Sequence, residues 1–98
     1  MAQQLPITLH IGGLAFDHAS YDSRGDVLYL HVGPPSRASG GQQTPEGHVV
    51  RYDGEGQVVG LTIINARWLL ERDGALAVTV PERVEIDPDT LAPALTAA

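Results

Sequence analysis

The stretch His48-Val49-Val50-Arg51-Tyr52-Asp53-Gly54-Glu55-Gly56-Gln57-Val58-Val59-Gly60-Leu61-Thr62-Ile63-Ile64-Asn65-Ala66 decides the fold. It reads as two β-strands, 49–53 and 58–64, joined by a tight turn at 54–56. This is the densest run of β-branched residues in the chain, and such residues suit a pleated, half-buried surface. The second strand is apolar at nearly every position, which predicts cover on both faces, as in the middle of a sheet.

Working outward, Tyr21-Asp22-Ser23-Arg24-Gly25-Asp26-Val27 repeats the pattern Tyr-Asp-x-x-Gly-x-Val of Tyr52 to Val58. Asp suits the start of a type I turn and Gly its end, where chains often turn left-handed. Asp22, Gly25, Asp53 and Gly56 are therefore expected as turn residues, and Asp26 as a solvated side chain. Val27 to Val32 follows as a strand with large residues on both faces. Upstream, Ile7 to Ile11 alternates with period two, and Gly12-Gly13 is a two-residue hairpin turn. The returning strand is expected from Leu14 to Tyr21, with Leu9 facing Phe16 and Ile7 facing His18.

Residues 33–47 lack periodicity and are expected as a mobile loop. Downstream, Asn65 to Gly74 favours a short helix capped by Asn65 and ended by Gly74. The alternative continues the strand to Leu70. Ala75 to Val80 alternates as a further strand stopped by Pro81, and Val84 to Ile86 forms a short edge strand. Asp87-Pro88 opens a helical turn, which Pro93 keeps short. Residues 1–4 and 94–98 are expected to fray. The sum is a single mainly β domain (α+β) over 1–98. It is an antiparallel sheet of hairpins, with five to six strands, one short helix and a C-terminal helical turn.

With Lys+Arg 6 against Asp+Glu 12, the net charge is −6. An acidic surface repels phosphate backbones, which argues against direct nucleic-acid binding. Every basic residue is Arg, and with abundant Ala and Gly this points to a GC-rich bacterial genome. There is no Cys, which excludes disulfides and thiolate chemistry. No apolar run approaches membrane-spanning length, and no basic region precedes an apolar core at the start. The expected setting is the cytoplasm.

The residues Tyr21-Asp22-x-x-Gly25-Asp26-Val27-Leu28-Tyr29-Leu30, Pro45-Glu46-Gly47-His48, Tyr52-Asp53 and Val59-Gly60-Leu61-Thr62-Ile63-Ile64-Asn65-Ala66 resemble the bacterial family of unknown function DUF2283, over about residues 21–66. Val78-Thr79-Val80-Pro81-Glu82 is similar to what often follows in longer members. The resemblance implies a small domain of hairpins and brings no reaction, cofactor or catalytic residue. Some members are encoded beside small toxin-like proteins, which implies an antitoxin role. The N-terminal hairpin and the C-terminal segment depart from the shorter members.

Among chemistry-bearing residues, His10, His18, His31 and His48 are the candidates for acid–base work near neutral pH. His31 and His48 stand at the two feet of the 33–47 loop, where with Glu46 they form a candidate metal site; the alternative is two surface histidines flanking a loop. Neither a phosphate-binding glycine loop nor a catalytic pair of carboxylates emerges. Tyr29, Tyr52 and Trp68 are candidate interface residues, with core packing as the alternative. The functional expectation is a non-enzymatic interaction domain without a cofactor, a homodimer or the binder of a protein partner. The alternative is a small-ligand or metal-binding protein built on the loop histidines.

Overall fold

A computed structural model describes residues 3–5, 8–33, 38–80 and 82–95. In chain order its strands are β1 (Gln3–Leu5), β2 (Leu9–Ile11), β3 (Leu14–Phe16), β4 (His18–Asp22), β5 (Val27–His31), β6 (Gly40–Gln43), β7 (Val49–Tyr52) and β8 (Val58–Ile64). Helix α1 (Ala66–Asp73), strands β9 (Leu76–Thr79) and β10 (Arg83–Ile86), and helix α2 (Pro88–Leu95) complete the set. Six strands form one antiparallel sheet in the order β1-β4-β5-β8-β7-β6; β2-β3 and β9-β10 are separate two-stranded ribbons. The fold is mainly β, as the alternation patterns required.

The β7–β8 hairpin sits inside the sheet, and β8 is buried from Val59 to Ile63. Alternation then assigns the faces. Tyr21, Leu28, Leu30, Val50, Leu61 and Ile63 point to one side and belong to the buried cluster. Over them lie Leu9, Ile11 and Phe16 of the first ribbon, Leu76, Val78 and Ile86 of the second, and Leu70, Leu91 and Leu95 of the helices. The other side of the sheet carries His18, Ser20, Val27, Tyr29, His31, Val49, Arg51 and Thr62.

The first ribbon has the expected register, Leu9 opposite Phe16, across a Gly12-Gly13 turn with φ 56 and 86. Gly12 is required twice over: a Cβ there would lie 2.8 Å from Val84 Cγ2, so the turn packs on β10. The expected single strand 14–21 is, however, two strands in two sheets. The chain ends β3 at Phe16, and His18 pairs with His31 of the main sheet. Asp17 fixes this switch, accepting the Gly33 N–H at 2.9 Å and contacting His18 Nδ1 at 2.6 Å. The expected partner of His18, Ile7, lies outside the described residues.

The expected loop 33–47 contains a strand. Gly40–Gln43 pairs with Val49–Tyr52 as the sheet's edge, and 34–37 lie outside the described residues. All four residues of β6 are exposed, so no apolar alternation marked them. The link to β7 is a tight turn, with Thr44 N–H on the His48 carbonyl at 2.7 Å and Gly47 N–H on the Thr44 carbonyl at 3.0 Å. The chain ends differ from expectation too: Gln3 and Gln4 join an edge strand, and Ala94 and Leu95 are buried in α2.

The stretch after β8 is helical, as favoured above, and Gly74 ends it with φ 74 and its N–H on the Leu70 carbonyl. Asn65 occupies the cap position at φ 58, but its side chain makes no capping bond. Asp87 caps α2, accepting from Thr90 N–H at 3.0 Å and Thr90 Oγ1 at 2.8 Å. Pro93 lies inside that helix, which runs for eight residues. No described helix is long and apolar enough to cross a membrane.

Candidate functional site

The candidate metal trio is not brought together. His31 sits opposite Gly60 of β8, on the sheet side away from the buried cluster. His48 continues the covered series of Val50, and its Nδ1 accepts the Ile64 N–H at 3.1 Å. The two contacts lie four residues apart on β8, a separation of about 13 Å along an extended strand. The loop between the feet does not close them, because β6 carries the chain back along the far edge. Among the described residues no group of three His, Asp or Glu side chains could hold a metal ion. His31 instead faces His18 across the β4–β5 pair and lies near Arg51. Burial depresses its pKa, and the charges of His18 and Arg51 add to the depression.

His48 is 1% exposed. Since Nδ1 accepts a hydrogen bond, the neutral ring carries its proton on Nε2. Neither nitrogen is then a free lone pair for a metal. Burial lowers the pKa of His48 and outweighs the opposing charge of Glu46 and the Ala77 carbonyl, so the ring stays neutral. The Ala77 carbonyl is close enough to favour the proton, yet it does not complete a hydrogen bond, and Nε2 has no partner among the described residues. The ring borders a cavity of about 230 Å³ between α1 and β9, reached by Glu46, Leu69, Arg72 and Ala77.

Glu46 is the clasp between the β6–β7 turn and β9. Its carboxylate accepts from Thr79 N–H at 3.0 Å and Thr79 Oγ1 at 2.9 Å. Desolvation raises its pKa, but the Thr79 bonds prevail and the net shift is downward.

The turn carboxylates have local work. Asp22 Oδ1 accepts from Arg24 N–H at 3.1 Å, and Asp53 Oδ1 from Glu55 and Gln57 N–H at 2.9 and 3.0 Å. Gly56 is left-handed at φ 80; Gly25 is not, and the left-handed residue of its turn is Asp26 at φ 55. Asp26 is also not a solvated bystander. Its Oδ1 accepts from the Tyr21 hydroxyl at 2.7 Å and Arg67 N–H at 2.8 Å, and its Oδ2 from Trp68 N–H at 3.0 Å. It is the N-terminal cap of α1, supplied from another hairpin. Burial and the Asp26 bond push the Tyr21 hydroxyl up to about 12. The guanidinium of Arg67 lies 5.3 Å from the Tyr21 ring centre. Sequence reasoning missed this junction because its halves are 41 residues apart. The available signal was an Asp where the parallel turn has Gln57.

The three candidate interface aromatics occupy different surfaces. Tyr29 is 36% exposed at the middle of the uncovered sheet face. Tyr52 is half-buried against the core. Trp68 is 52% exposed on α1, with the Arg72 guanidinium 4.5 Å from its ring centre. Around Tyr29 the uncovered face offers Val27, Val49 and Ile64, none of which joins the buried cluster.

Residues 18–67 match the family described as Protein of unknown function (DUF2283). No curated protein and no solved structure matches the chain.

Proposed function

The chain belongs to this family, and from that premise we propose that it is a non-enzymatic interaction module of the cytoplasm that pairs with a second copy of itself. The observation that carries this reading is the uncovered face of the six-stranded sheet. Val27, Tyr29, Val49 and Ile64 keep solvent contact there while the opposite face is packed. Monomers seldom leave such a surface in water, and a symmetric dimer is the commonest cover.

The charges at its edges favour a second copy. Asp22 and Arg51 stand at diagonally opposite corners of the strand set β4-β5-β8-β7. A two-fold axis in the plane of the face, crossing that diagonal at right angles, lays Asp22 of one copy over Arg51 of the other. Such exposed pairs contribute little energy but fix orientation. Sedimentation equilibrium at micromolar concentration tests this. The expected mass is twice the chain's 10.4 kDa, and Tyr29→Glu, at an exposed position, returns a folded monomer. A wild-type monomer that binds no hydrophobic dye overturns the reading. A monomer that binds the dye moves it to a heterologous protein partner, as an antitoxin role requires.

A further inference from the structure

We propose that His18 and His31, directly opposite each other on β4 and β5, form a two-imidazole site for a divalent transition-metal ion of the zinc, nickel and copper class, with Asp17 as the carboxylate behind one ligand. The site is complete within one chain and does not depend on self-association.

The placement follows from the sheet register. His18 pairs with His31 across antiparallel strands, so both side chains leave the sheet on one face, with Cβ atoms about 5 Å apart. That face is the uncovered one, and His18 keeps 35% of its side-chain surface exposed. Zinc–nitrogen bonds of about 2.0–2.1 Å at a tetrahedral angle set two ligand nitrogens roughly 3.3 Å apart. Two imidazoles rooted about 5 Å apart can close that span. The next residue of the row, Gly60 of β8, leaves the His31 ring room to turn, since a Cβ there would lie 3.3 Å from His31 Nδ1.

The nitrogens are free and correctly polarised. Asp17 Oδ1 contacts His18 Nδ1 at 2.6 Å and is anchored by the Gly33 N–H at 2.9 Å. An aspartate with the ordinary pKa of about 3.9 is ionised at neutral pH and only accepts, so Nδ1 carries the proton and Nε2 the lone pair. A carboxylate behind an imidazole in this way orients the ring as a ligand and raises its basicity. His18 Nε2 and both ring nitrogens of His31 have no hydrogen-bond partner among the described residues. The buried side-chain polar atom without a partner among those residues is His48 Nε2, so these three nitrogens stay open to solvent.

Charge and donor type choose the ligand. Arg51 follows Gly60 in the same row and opposes a cation, but it is exposed and its long side chain can swing into water. Asp17 stands directly behind His18, and the chain carries a net charge of −6. An anion would meet that carboxylate and find the Nδ1 proton of His18 already engaged. Imidazole donors suit zinc, nickel and copper, whereas magnesium and calcium take oxygen. Two protein nitrogens leave the other positions to water, so the ion is held weakly and exchanges.

The test is a titration of the isotope-labelled full chain with zinc chloride at neutral pH, with magnesium chloride and sodium phosphate as separate comparisons, followed by NMR of the histidine ring nitrogens. Zinc is expected to move His18 Nε2 and a His31 nitrogen saturably, at one ion per chain, while the buried His48 ring stays unmoved. His18→Gln and His31→Gln should each lower zinc affinity by about tenfold or more. Asp17→Asn keeps an oxygen for the Gly33 N–H and should lower it by about tenfold through the His18 ring alone. The amide spectrum of each variant reports its fold. His31→Gln has no side-chain hydrogen bond to lose, so it carries the test where a variant at the 17–18 switch does not fold. Zinc that leaves both rings unmoved overturns the proposal. So does unchanged affinity in a folded His31→Gln, magnesium or phosphate binding as tightly as zinc, or loss of the site in His10→Gln, which would place the ligand on the first ribbon.

Discussion

The turns at 21–27 and 52–58 share the pattern Tyr-Asp-x-x-Gly-x-Val and close neighbouring hairpins of one sheet, yet they are built differently. In the second, Gly56 N–H bonds the Asp53 carbonyl at 3.1 Å and Asp53 N–H bonds the Gln57 carbonyl at 2.9 Å. That is a type I turn with glycine in the left-handed position that follows it. In the first, Asp22 pairs directly with Val27, so the loop is one residue longer and the left-handed position moves from Gly25 onto Asp26. Left-handed backbone is tolerated by Asp better than by most residues, though not freely. What offsets the strain comes largely from outside the hairpin: Asp26 receives two N–H groups of α1 and its carbonyl takes the Ala66 N–H at 3.1 Å, while the Tyr21 hydroxyl adds a bond from within the hairpin. One turn only reverses the chain; the other also docks a helix.

The sharpest way to break the comparison is to exchange equivalent positions. Asp26→Ala removes the cap of α1 and strips the buried Tyr21 hydroxyl of its acceptor. A cap is worth about 1 kcal/mol, and a hydrogen bond to a charged group about 1.5–3 kcal/mol. The expected loss is therefore about 2.5–4 kcal/mol in a urea titration. The equivalent Gln57→Ala, at an exposed position, should stay within about 0.5 kcal/mol. Equal losses at the two positions would show that the Asp26 contacts carry no stability.

The glycines give the reverse ranking, with a smaller amplitude. Gly56→Ala puts a side chain at φ 80 and should cost about 1–2 kcal/mol. Gly25→Ala faces no such barrier. Its Cβ meets Asp22 Oδ2 at 3.1 Å, a contact that a small carboxylate movement relieves, for at most about 0.5 kcal/mol. Thermal melts of the two variants compare them directly, and a costlier Gly25→Ala would contradict the assignment of the left-handed residue.

The same contrast explains what could be read from the residues. Strands whose side chains alternate between core and solvent were legible, because burial imposes a period of two: Leu9 to Phe16 in register, Val27 to His31, and Val49 to Tyr52; β8 was legible from its unbroken apolar run instead. The edge strand Gly40–Gln43 was not, since all its side chains are exposed and its order comes from backbone pairing. The change of sheet at Asp17 shows in the apolar pattern only as a slip of one residue, from Leu14 and Phe16 before it to Ala19 and Tyr21 after it; it depends on one carboxylate reaching Gly33. The cap of α1 was sought beside the helix, at Asn65, and was found on a different hairpin. For the site, the residue types at 46 and 48 drew notice, but their chemistry depended on neighbours. Glu46 is engaged by Thr79, and His48 by the Ile64 backbone. Local pattern reports burial, whereas these pairings are set by the packing of distant segments.

The smallest expected effect is one of pH, and it isolates the charge of Asp26 from its geometry. Desolvation raises the pKa of this carboxyl, but the Tyr21 hydroxyl and the Arg67 and Trp68 N–H groups outweigh it, and the net shift is downward. A carboxyl whose folded pKa lies below its unfolded value, about 3.9 for Asp, stabilises the fold fully above that value. The contribution is lost as pH falls through the folded pKa. Asp26→Asn keeps a side chain that tolerates the left-handed backbone and an oxygen that can accept, but never ionises. Wild type should therefore exceed Asp26→Asn by a constant margin from pH 7 to about 5, and the two should converge below about pH 4. At the second turn the equivalent residue, Gln57, does not titrate, so the margin between wild type and Gln57→Ala should be flat across the same range. Chemical denaturation at intervals of one pH unit measures both margins. Wild-type and Asp26→Asn curves that stay parallel to pH 2 would mean that the helix is held by the shape of the Asp26 cap alone, and that the ionised carboxylate adds nothing.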